Sequence, residues 1–592
     1  MNRLEDIEKL IIPGLDGGDI LFLVPPFARR EFAVLGPHIL QTIAREMGYK
    51  ADILYLNILF ASIVGDEVYD RISTNPYNLR WMKLGERLFA RSAHGLPPLG
   101  EFSKSLADEA VCITGNTQQH AKIAYESKNF DLDGLLKLEA ICPPFIQEVV
   151  RAVTSIDYKM IGCTTTLEQT NCSVAILKAV KKICPEIITI MGGKNCEDQM
   201  AEGIASLSRA IDYVFSGESE ISFKEFLTGY AGDKLPARRV INGEPLKNLD
   251  TIPLPGYESF FKQMRAFLGN NLPKMKAVSY ETSRGCWWGQ KRRCLFCGNT
   301  NTQSIVFQQK SGEKVEKDLE MIAQKYPVNA VLMTDNIVPF SYYEKLLTFL
   351  AQKKEFPSIF YQENTDLQLK DLINLQKMRV KSILTGIESL SSGLLKLMNK
   401  RVRASQNLLL LRNALSAGIY VAWNMLWGFP GDKAAHYREI LKLLPLIRHL
   451  QPPMELLHLI LVRFSSYVET PQLHHITGLR PMEIYKQIYP QWADIDKLAY
   501  EFTGDYPCEA HENPGLIREL QREITAWKTS WQTSNLIMTP SADYYIIHDT
   551  RRMNGKPGNH ILDDSQAKAV MIYCEYNGSP YQKWAVEEKL GM

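Results

Sequence analysis

The chain has no apolar run of the length a bilayer span requires, and its first residues, Met1-Asn-Arg-Leu-Glu-Asp-Ile-Glu-Lys9, lack the apolar segment of a secretory signal. Membrane insertion and export are therefore not expected, and the cytoplasm is the expected compartment. An excess of charge of one sign is also missing. The 68 Lys and Arg against 66 Asp and Glu leave a formal charge of +2, which gives no case for nucleic acid as the main partner. Cysteine is sparse and odd in number, eleven in 592 residues, mostly scattered on apolar segments. That pattern excludes a disulfide framework and fits a reducing compartment. The remaining composition, 45% apolar and 23% charged, is that of a soluble globular protein too long for a single core.

Three of the cysteines are not scattered. Cys286, Cys294 and Cys297 lie in Glu281-Thr-Ser-Arg-Gly-Cys-Trp-Trp-Gly-Gln-Lys-Arg-Arg-Cys-Leu-Phe-Cys-Gly-Asn299, a C-x7-C-x2-C array in a glycine-rich, polar loop. Thiolates are the usual ligands of iron-sulfur clusters, and three of them on a four-iron cube leave one iron open to a substrate molecule. Zinc is the competing metal. It needs a fourth ligand, no histidine lies within the loop, and the nearest other thiols in sequence are Cys196 and Cys508. A chance trio on a surface loop is the third reading, set against the usual burial of cysteine and the oxidation that exposure invites.

At these residues the sequence resembles the radical S-adenosylmethionine (SAM) enzymes, in which an aromatic residue such as Phe296 precedes the last cysteine. The seven-residue first gap departs from that superfamily's usual three. Arg284-Gly-Cys-Trp-Trp-Gly followed by Cys-x-Phe-Cys-Gly is similar to the cobalamin-dependent radical SAM C-methyltransferases that mature ribosomally made peptides (RiPPs), where the wider gap is common. The resemblance implies a [4Fe-4S] cluster on Cys286, Cys294 and Cys297, with SAM at the open iron. It also implies an external electron donor such as flavodoxin or ferredoxin.

The N-terminal part alternates strand and helix. Asp19–Pro26 reads as a buried strand, His38–Gly48 as a helix and Ala51–Asn57 as the next strand. From about 66 to 153 the pattern turns helical and irregular, with Pro76, Pro97, Pro98, Pro143 and Pro144 as expected breakers. Strands resume at Tyr158–Cys163, Ile187–Met191 and Tyr213–Phe215, with a helix over Asn171–Cys184. This is the pattern of a doubly wound parallel sheet, whose ligands bind beyond the carboxyl ends of the strands. Glycines stand at two such ends, Gly192-Gly193 and Gly217, where a bulky ligand can approach the backbone or an ordinary tight turn can form. The ordered series Gly162-Cys-Thr-Thr-Thr166, Gln169, Met-Gly-Gly193 and Ser-Gly-Glu-Ser-Glu220 resembles the cobalamin-binding domain of the same enzymes. By that resemblance Thr164, Thr165, Gln169, Gly192, Gly193, Gly217 and Glu218 line the corrin and its nucleotide tail. No Asp-x-His-x-x-Gly occurs in the chain, so base-off cobalamin without a histidine ligand is expected. Arg29 and Arg30 read as a solvated loop.

Asp250-Thr-Ile-Pro-Leu-Pro-Gly-Tyr257 suggests an extended connector. Beyond it, Ala277–Thr282, Ala330–Thr334, Ile359–Gln362, Ser382–Thr385, Tyr420–Leu426 and Leu456–Leu461 read as six strands that end in polar or glycine residues, as an α/β barrel builds a site at one rim. Carried over by resemblance, Phe296 contacts adenine through its loop, Asp335 and Asn336 take the methionine amino group, Glu388 binds the ribose hydroxyls and Asn424 flanks the cofactor. The expected architecture is α/β. A doubly wound cobalamin-binding domain spans 1–230 with a helical insertion at about 66–153, a linker follows at 231–276, a partial (β/α)6 radical SAM barrel spans 277–500, and a small domain spans 501–592. The last contains a helix from Leu516 to Trp531 and a strand-like Asp543–His548, and by resemblance it contacts a peptide; a small packing domain is the alternative.

The function implied is methyl transfer from methylcobalamin to a carbon of a precursor-peptide residue, initiated by a 5′-deoxyadenosyl radical. A cyclisation or rearrangement without methylation, and a non-enzymatic redox or metal-binding protein, are the alternatives. No catalytic acid or base is assigned by the residues.

Overall fold

The computed structural model describes residues 4–73, 83–99, 132–299, 306–339, 355–551 and 558–575, together with 341, 342, 346, 349, 350, 352 and 353. The chain divides into two compact units: Met1–Tyr280 with Lys317–Ala330 and Arg480–Thr503, and Glu281–Glu316 with Val331–Leu479 and Gly504–Met592. Among the described residues no helix is long and apolar enough to cross a membrane.

The first unit is built on a parallel sheet. Its strands are β1 (Gly18–Leu23), β3 (Ala51–Leu54), β4 (Tyr158–Thr164), β5 (Ile188–Gly192), β6 (Tyr213–Ser216) and β7 (Val240–Asn242), in the order β3-β1-β4-β5-β6-β7. A short β2 (Phe32–Ala33) pairs instead with β8 (Ala277–Tyr280), Phe32 opposite Ala277. The central strands read as near-continuous apolar runs because helices cover both faces, and Ile20, Leu21, Leu23, Ile53, Met160, Ile161 and Met191 are all buried. The chain goes from β1 outward to β3 and then returns to β4 on the other side of β1. The strand order therefore reverses between β1 and β4, and their carboxyl ends form the topological switch point where such sheets take ligands.

Of the expected helical insertion, residues 74–82 and 100–131, which include Pro76, lie outside the described residues. The remainder forms the helices Asp66–Ser73, Leu84–His94 and Leu132–Thr154. Pro143 and Pro144 do not break the last of these. Each removes a helical hydrogen bond, but Leu135, Leu138, Cys142, Phe145, Ile146, Val149 and Val153 bury one side of it, and packing rather than propensity decides. Residues 231–276, expected as a linker, contain β7 and the helix Glu258–Leu268. That helix buries Phe260, Phe261, Met264 and Phe267, and Gln263 donates to the carbonyl of Ile53 (2.6 Å) while accepting from the amide of Tyr55 (2.8 Å). The prolines of this stretch thus lead into a packed element and not a free connector. Segments 317–330 and 480–503, expected within the barrel, belong to this first unit.

The second unit carries a run of parallel strands in the order β14-β13-β12-β11: β11 (Ala330–Met333), β12 (Ser358–Glu363), β13 (Val380–Thr385) and β14 (Tyr420–Ala422). The run Tyr420–Leu426, expected as one strand, is split. β14 stops at Ala422, and β15 (Met425–Trp427) pairs with β16 (Leu456–His458). The break falls where the Trp423 side chain turns into the core and donates to the carbonyl of Gln451 (3.1 Å). A backbone bridge from Glu388 to Met425 then joins the two pieces. Two further short strands, β9 (Ser283–Arg284) and β10 (Gln308–Gln309), pair antiparallel and close the base of the cysteine loop. The C-terminal part holds the helix Pro514–Ser530 and a three-stranded antiparallel sheet of Leu536–Ser541, Tyr544–Asp549 and Gly558–Leu562.

Gly193 has a φ of 109°, and a Cβ there would stand 2.5 Å from the carbonyl oxygen of Thr165. A Gly193→Ala variant is expected to lose about 2–3 kcal/mol of stability through strain and the backbone clash. A denaturant midpoint equal to that of the wild type would contradict this account of the β5 turn.

Candidate functional site

The cysteine loop hangs from a neck built by one carboxylate. Asp335, just beyond β11, is fully buried and accepts from the Thr282 amide at 2.7 Å, while the Thr282 hydroxyl donates to its second oxygen. The amide of Lys310 donates to the Thr282 carbonyl (2.9 Å), and the Tyr342 hydroxyl lies 2.6 Å from the Lys310 carbonyl and 3.2 Å from that of Thr282. The two ends of the loop are thereby clamped together. Burial pushes the Asp335 carboxyl up to about 7, against the opposing pull of the Thr282 and Ser283 donors. Sequence reasoning expected Asp335 to hold a ligand's amino group. Its oxygens instead hold the loop, so its role here is to position the cysteines. Asn336, expected beside it, faces the loop: its amide nitrogen lies 3.4 Å from the Gly285 carbonyl, and its oxygen 3.5 Å from the Asn299 amide.

Within the loop, Cys286 caps the helix Trp287–Arg292, its sulfur accepting from the Gly289 amide at 3.2 Å. Cys294 and Cys297 follow in a tight turn, with the Cys297 amide 3.3 Å from the Cys294 carbonyl. None of the three is in a disulfide, and all are partly exposed. Burial pushes the Cys294 thiol up to about 11 and raises that of Cys297. Charge on Cys297 and Cys286 adds to the rise at Cys294, charge on Cys286 adds to that at Cys297, and Lys400 opposes both. Among the described residues no three His, Cys, Asp or Glu side chains form a group able to hold a single metal ion. One zinc at about 2.3 Å from each sulfur would draw the thiolates within about 4 Å of one another. A four-iron cluster would spread its ligands over separate irons, and the Gly289 amide at Cys286 and the cation of Lys400 are groups that can compensate thiolate charge.

The remaining expected residues surround this loop. Phe296 meets Phe429 edge to face, with ring centroids 6.2 Å apart, and Lys400 Nζ lies 5.9 Å over its ring. Glu388 follows β13 with a φ of 56° and pairs with Lys400 at 3.5 Å. Burial raises the Glu388 carboxyl while Lys400 opposes it. Burial pulls Lys400 down, but Glu388, Cys294 and Cys297 outweigh that and keep it cationic. Asn424, at the break between β14 and β15, has a buried side-chain oxygen with no hydrogen-bond partner among the described residues, and the same holds for the Asn364 amide nitrogen and the Thr385 hydroxyl at the ends of β12 and β13. Buried polar atoms without partners are costly and mark places prepared for a polar ligand. Sequence reasoning missed Lys400, although the cationic run Lys400-Arg-Val-Arg403 was visible. It also missed Thr282, because an anchoring threonine has no spacing signature.

In the first unit the other expected residues lie at the carboxyl ends of β4, β5 and β6. Thr164 pairs in register with Gly192. Thr165 is buried, with its amide and hydroxyl both directed to the Gly192 carbonyl (2.7 and 3.2 Å). Gln169 spans the switch point, donating to the Pro25 carbonyl beyond β1 (2.7 Å) and accepting from the Thr166 amide (2.8 Å). Glu218 accepts from the Leu246 amide (2.9 Å). Three of these side chains are thus spent on loop structure. Thr164, Gly192, Gly193 and Gly217 are the ones left to present backbone and a small side chain to a ligand, with Gly217 exposed at a φ of 77°.

Residues 280–444 match the Radical SAM superfamily. The uncharacterized methyltransferase PH0819 of Pyrococcus horikoshii is 22% identical over 315 residues, which cover 50% of this chain and 66% of that protein. The chain therefore spans about two thirds of the length of that relative. Two solved structures share the fold. The cobalamin-dependent SAM radical enzyme OxsB, with aqua-cobalamin and SAM bound, superposes with a TM-score of 0.56 at 12% identity, over 98% of this chain and 75% of OxsB. The radical SAM methyltransferase TsrM from Kitasatospora setae, with cobalamin and a [4Fe-4S] cluster bound, gives 0.55 at 11% identity, over 85% of this chain and 90% of TsrM. At such identities the likeness establishes the α/β architecture.

Asp335 ionises near 7 in the fold but near 4 in an unfolded chain. Its contribution to stability is present in full below about pH 4 and is lost as pH rises toward 7. Relative to an Asp335→Asn variant, the wild type is expected to lose ground in thermal midpoint between pH 4 and 7 and to hold a constant difference above that. A difference independent of pH over this window would contradict the placement of this carboxyl.

Proposed function

We propose that the chain is a cobalamin-dependent radical SAM methyltransferase that methylates a carbon of a residue in a ribosomally made precursor peptide. The observation that carries the proposal is the set of three neighbouring thiols, clamped by Asp335 at the end of a barrel strand within the radical SAM segment. Cys286, Cys294 and Cys297 would hold the [4Fe-4S] cluster. When bound, the cluster with SAM supplies a 5′-deoxyadenosyl radical able to abstract hydrogen from carbon, and methylcobalamin supplies the methyl group.

The chain's own side chains bind and orient. Glu388 presents a carboxylate suited to vicinal hydroxyls, held in place by Lys400, and the free Asn424 oxygen can accept from a ligand N–H or O–H. Asn336 and Phe296 would shape the rest of the SAM pocket. At the switch point of the first unit, the Gln169 bridge and the exposed backbone of Gly217 would meet a corrin and its tail, with the Gly192-Gly193 turn packed tightly against Thr165 behind them. The lack of an Asp-x-His-x-x-Gly sequence favours cobalamin without a histidine ligand.

The peptide part of the proposal is supported by the seven-residue cysteine gap and by the C-terminal sheet. Ile537, Tyr544 and Ile561 fall on one face of that sheet, by the register Thr539–Ile546–Ile561. They are 51%, 40% and 70% exposed, an apolar surface suited to an extended peptide. A cyclisation or rearrangement without methylation is the second reading. It is supported by the equal likeness to OxsB, a cobalamin-dependent SAM radical enzyme.

Two outcomes test these readings. Anaerobic incubation with reductant, cobalamin, methyl-labelled SAM and candidate peptide is expected to transfer label to peptide carbon; a product of unchanged mass would favour the second reading, and no product at all would count against both. Ile537→Asp with Ile561→Asp is expected to raise the KM for peptide about tenfold or more while SAM cleavage without peptide stays unchanged. An unaltered KM would remove the C-terminal sheet from peptide recognition.

A further inference from the structure

Beside the cysteine loop, the second unit has an open groove of about 660 Å³ lined by Ser392, Lys396, Asn399, Arg401, Arg403 and Gln406 among others. Its described lining holds three cations and no acid, and Lys396, Arg401 and Arg403 are exposed. The helix Ala404–Ser416 begins at this groove, and the partial positive charge of its first turn adds to the side-chain charges.

The groove wall is tied to the cysteine loop by one side-chain and one backbone hydrogen bond. The Asn399 amide nitrogen donates to the Arg293 carbonyl (2.8 Å), and the Leu295 amide donates to the Met398 carbonyl (3.2 Å). These two bonds flank Cys294. Arg401 in turn reaches the Asn399 side-chain oxygen (3.3 Å). Lys291 and Arg292, exposed at the end of the helix before Cys294, carry positive charge onto the same loop. A cationic, solvent-open surface thus shares hydrogen bonds with a segment holding two of the three thiols. A substrate that must reach reacting carbon needs an enclosed site at the strand ends, whereas an electron carrier needs only to approach the cluster from outside. Encounter complexes of electron-transfer proteins bury little surface and are steered by opposite charge.

We propose that this groove is the docking site of an acidic one-electron carrier protein, a reduced flavoprotein or iron-sulfur protein. The carrier gives one electron and is oxidised, and the cluster on Cys286, Cys294 and Cys297 accepts that electron and is reduced. The proposal rests on the cluster reading above and adds the identity of the surface through which the electron enters.

The test uses the reconstituted holoenzyme and reduced flavodoxin, with cluster bleaching followed by anaerobic stopped flow. The variant carrying K396E, R401E and R403E is expected to be reduced at least tenfold more slowly than the wild type at low salt, with the neutral K396Q, R401Q and R403Q variant in between. Added salt is expected to slow the wild type, to leave the neutral variant little changed and to speed the charge-reversed variant, since screening weakens attraction and repulsion alike. Dithionite, which needs no protein docking, is expected to reduce all three alike. Equal flavodoxin rates and equal salt dependence in the three proteins would overturn the proposal, and so would a parallel loss with dithionite, which would make the groove a structural support of the cluster. A wild type that dithionite cannot reduce would overturn the cluster reading and this proposal with it. A variant unchanged with flavodoxin but defective in peptide turnover would overturn it in favour of an anionic substrate in the groove.

Discussion

The geometry of the candidate centre depends on the hydrogen bonds between Asp335 and Thr282. Both carboxylate oxygens are committed to one residue at the start of the cysteine loop, and Tyr342 and Lys310 bring the end of the loop back to that residue. A long polar loop cannot hold three thiols near one another by its own propensity, because each ordered residue costs about 1–2 kcal/mol of backbone entropy. A buried clamp at the neck removes much of that freedom at once. The desolvation that raises the Asp335 carboxyl toward neutrality accompanies a rigid mouth to the site.

The second organising element is the contact of Lys400 with Glu388. It sets one cation among an acid and two thiols. That cation opposes the burial that raises the Cys294 and Cys297 thiols, and thiolates are the form that binds iron. With it, the charge of a bound anionic cluster has a fixed counterpart, and Glu388 is oriented by the same contact.

Much of the fold was legible in the sequence because it rests on periodicity. The buried strands at Gly18–Leu23, Tyr158–Thr164, Ile188–Gly192 and Val380–Thr385 lie within three residues of where their apolar runs placed them, since a strand covered on both faces has to be apolar along its length. The failures have tertiary causes. Pro143 and Pro144 sit inside a helix because its buried side outweighs two lost hydrogen bonds. Residues 258–268 pack as a helix because their aromatic residues find a core that no local pattern reveals. At the site, the cysteine loop stood out by spacing and chemistry, and Glu388 and Asn424 were singled out by the resemblance that the order of strands carries. The reassignment of Asp335 from ligand contact to loop anchor was not legible. A carboxylate at a strand end reads the same whether it faces a ligand or a neighbouring threonine, and only the fold shows which. Lys400 was missed for the converse reason, since a lysine in a cationic run reads as solvated surface until burial is known.

The central claim is that the three thiols hold a four-iron cluster with one iron open to SAM. Electron paramagnetic resonance of the anaerobically reconstituted, reduced protein tests it most directly, alongside iron and sulfide analysis. The account predicts about four irons per chain, a signal from the reduced cluster, and a change in the shape of that signal when SAM is added, as the open iron gains a ligand. A signal indifferent to SAM, or a protein that binds a single zinc in place of iron, would contradict it.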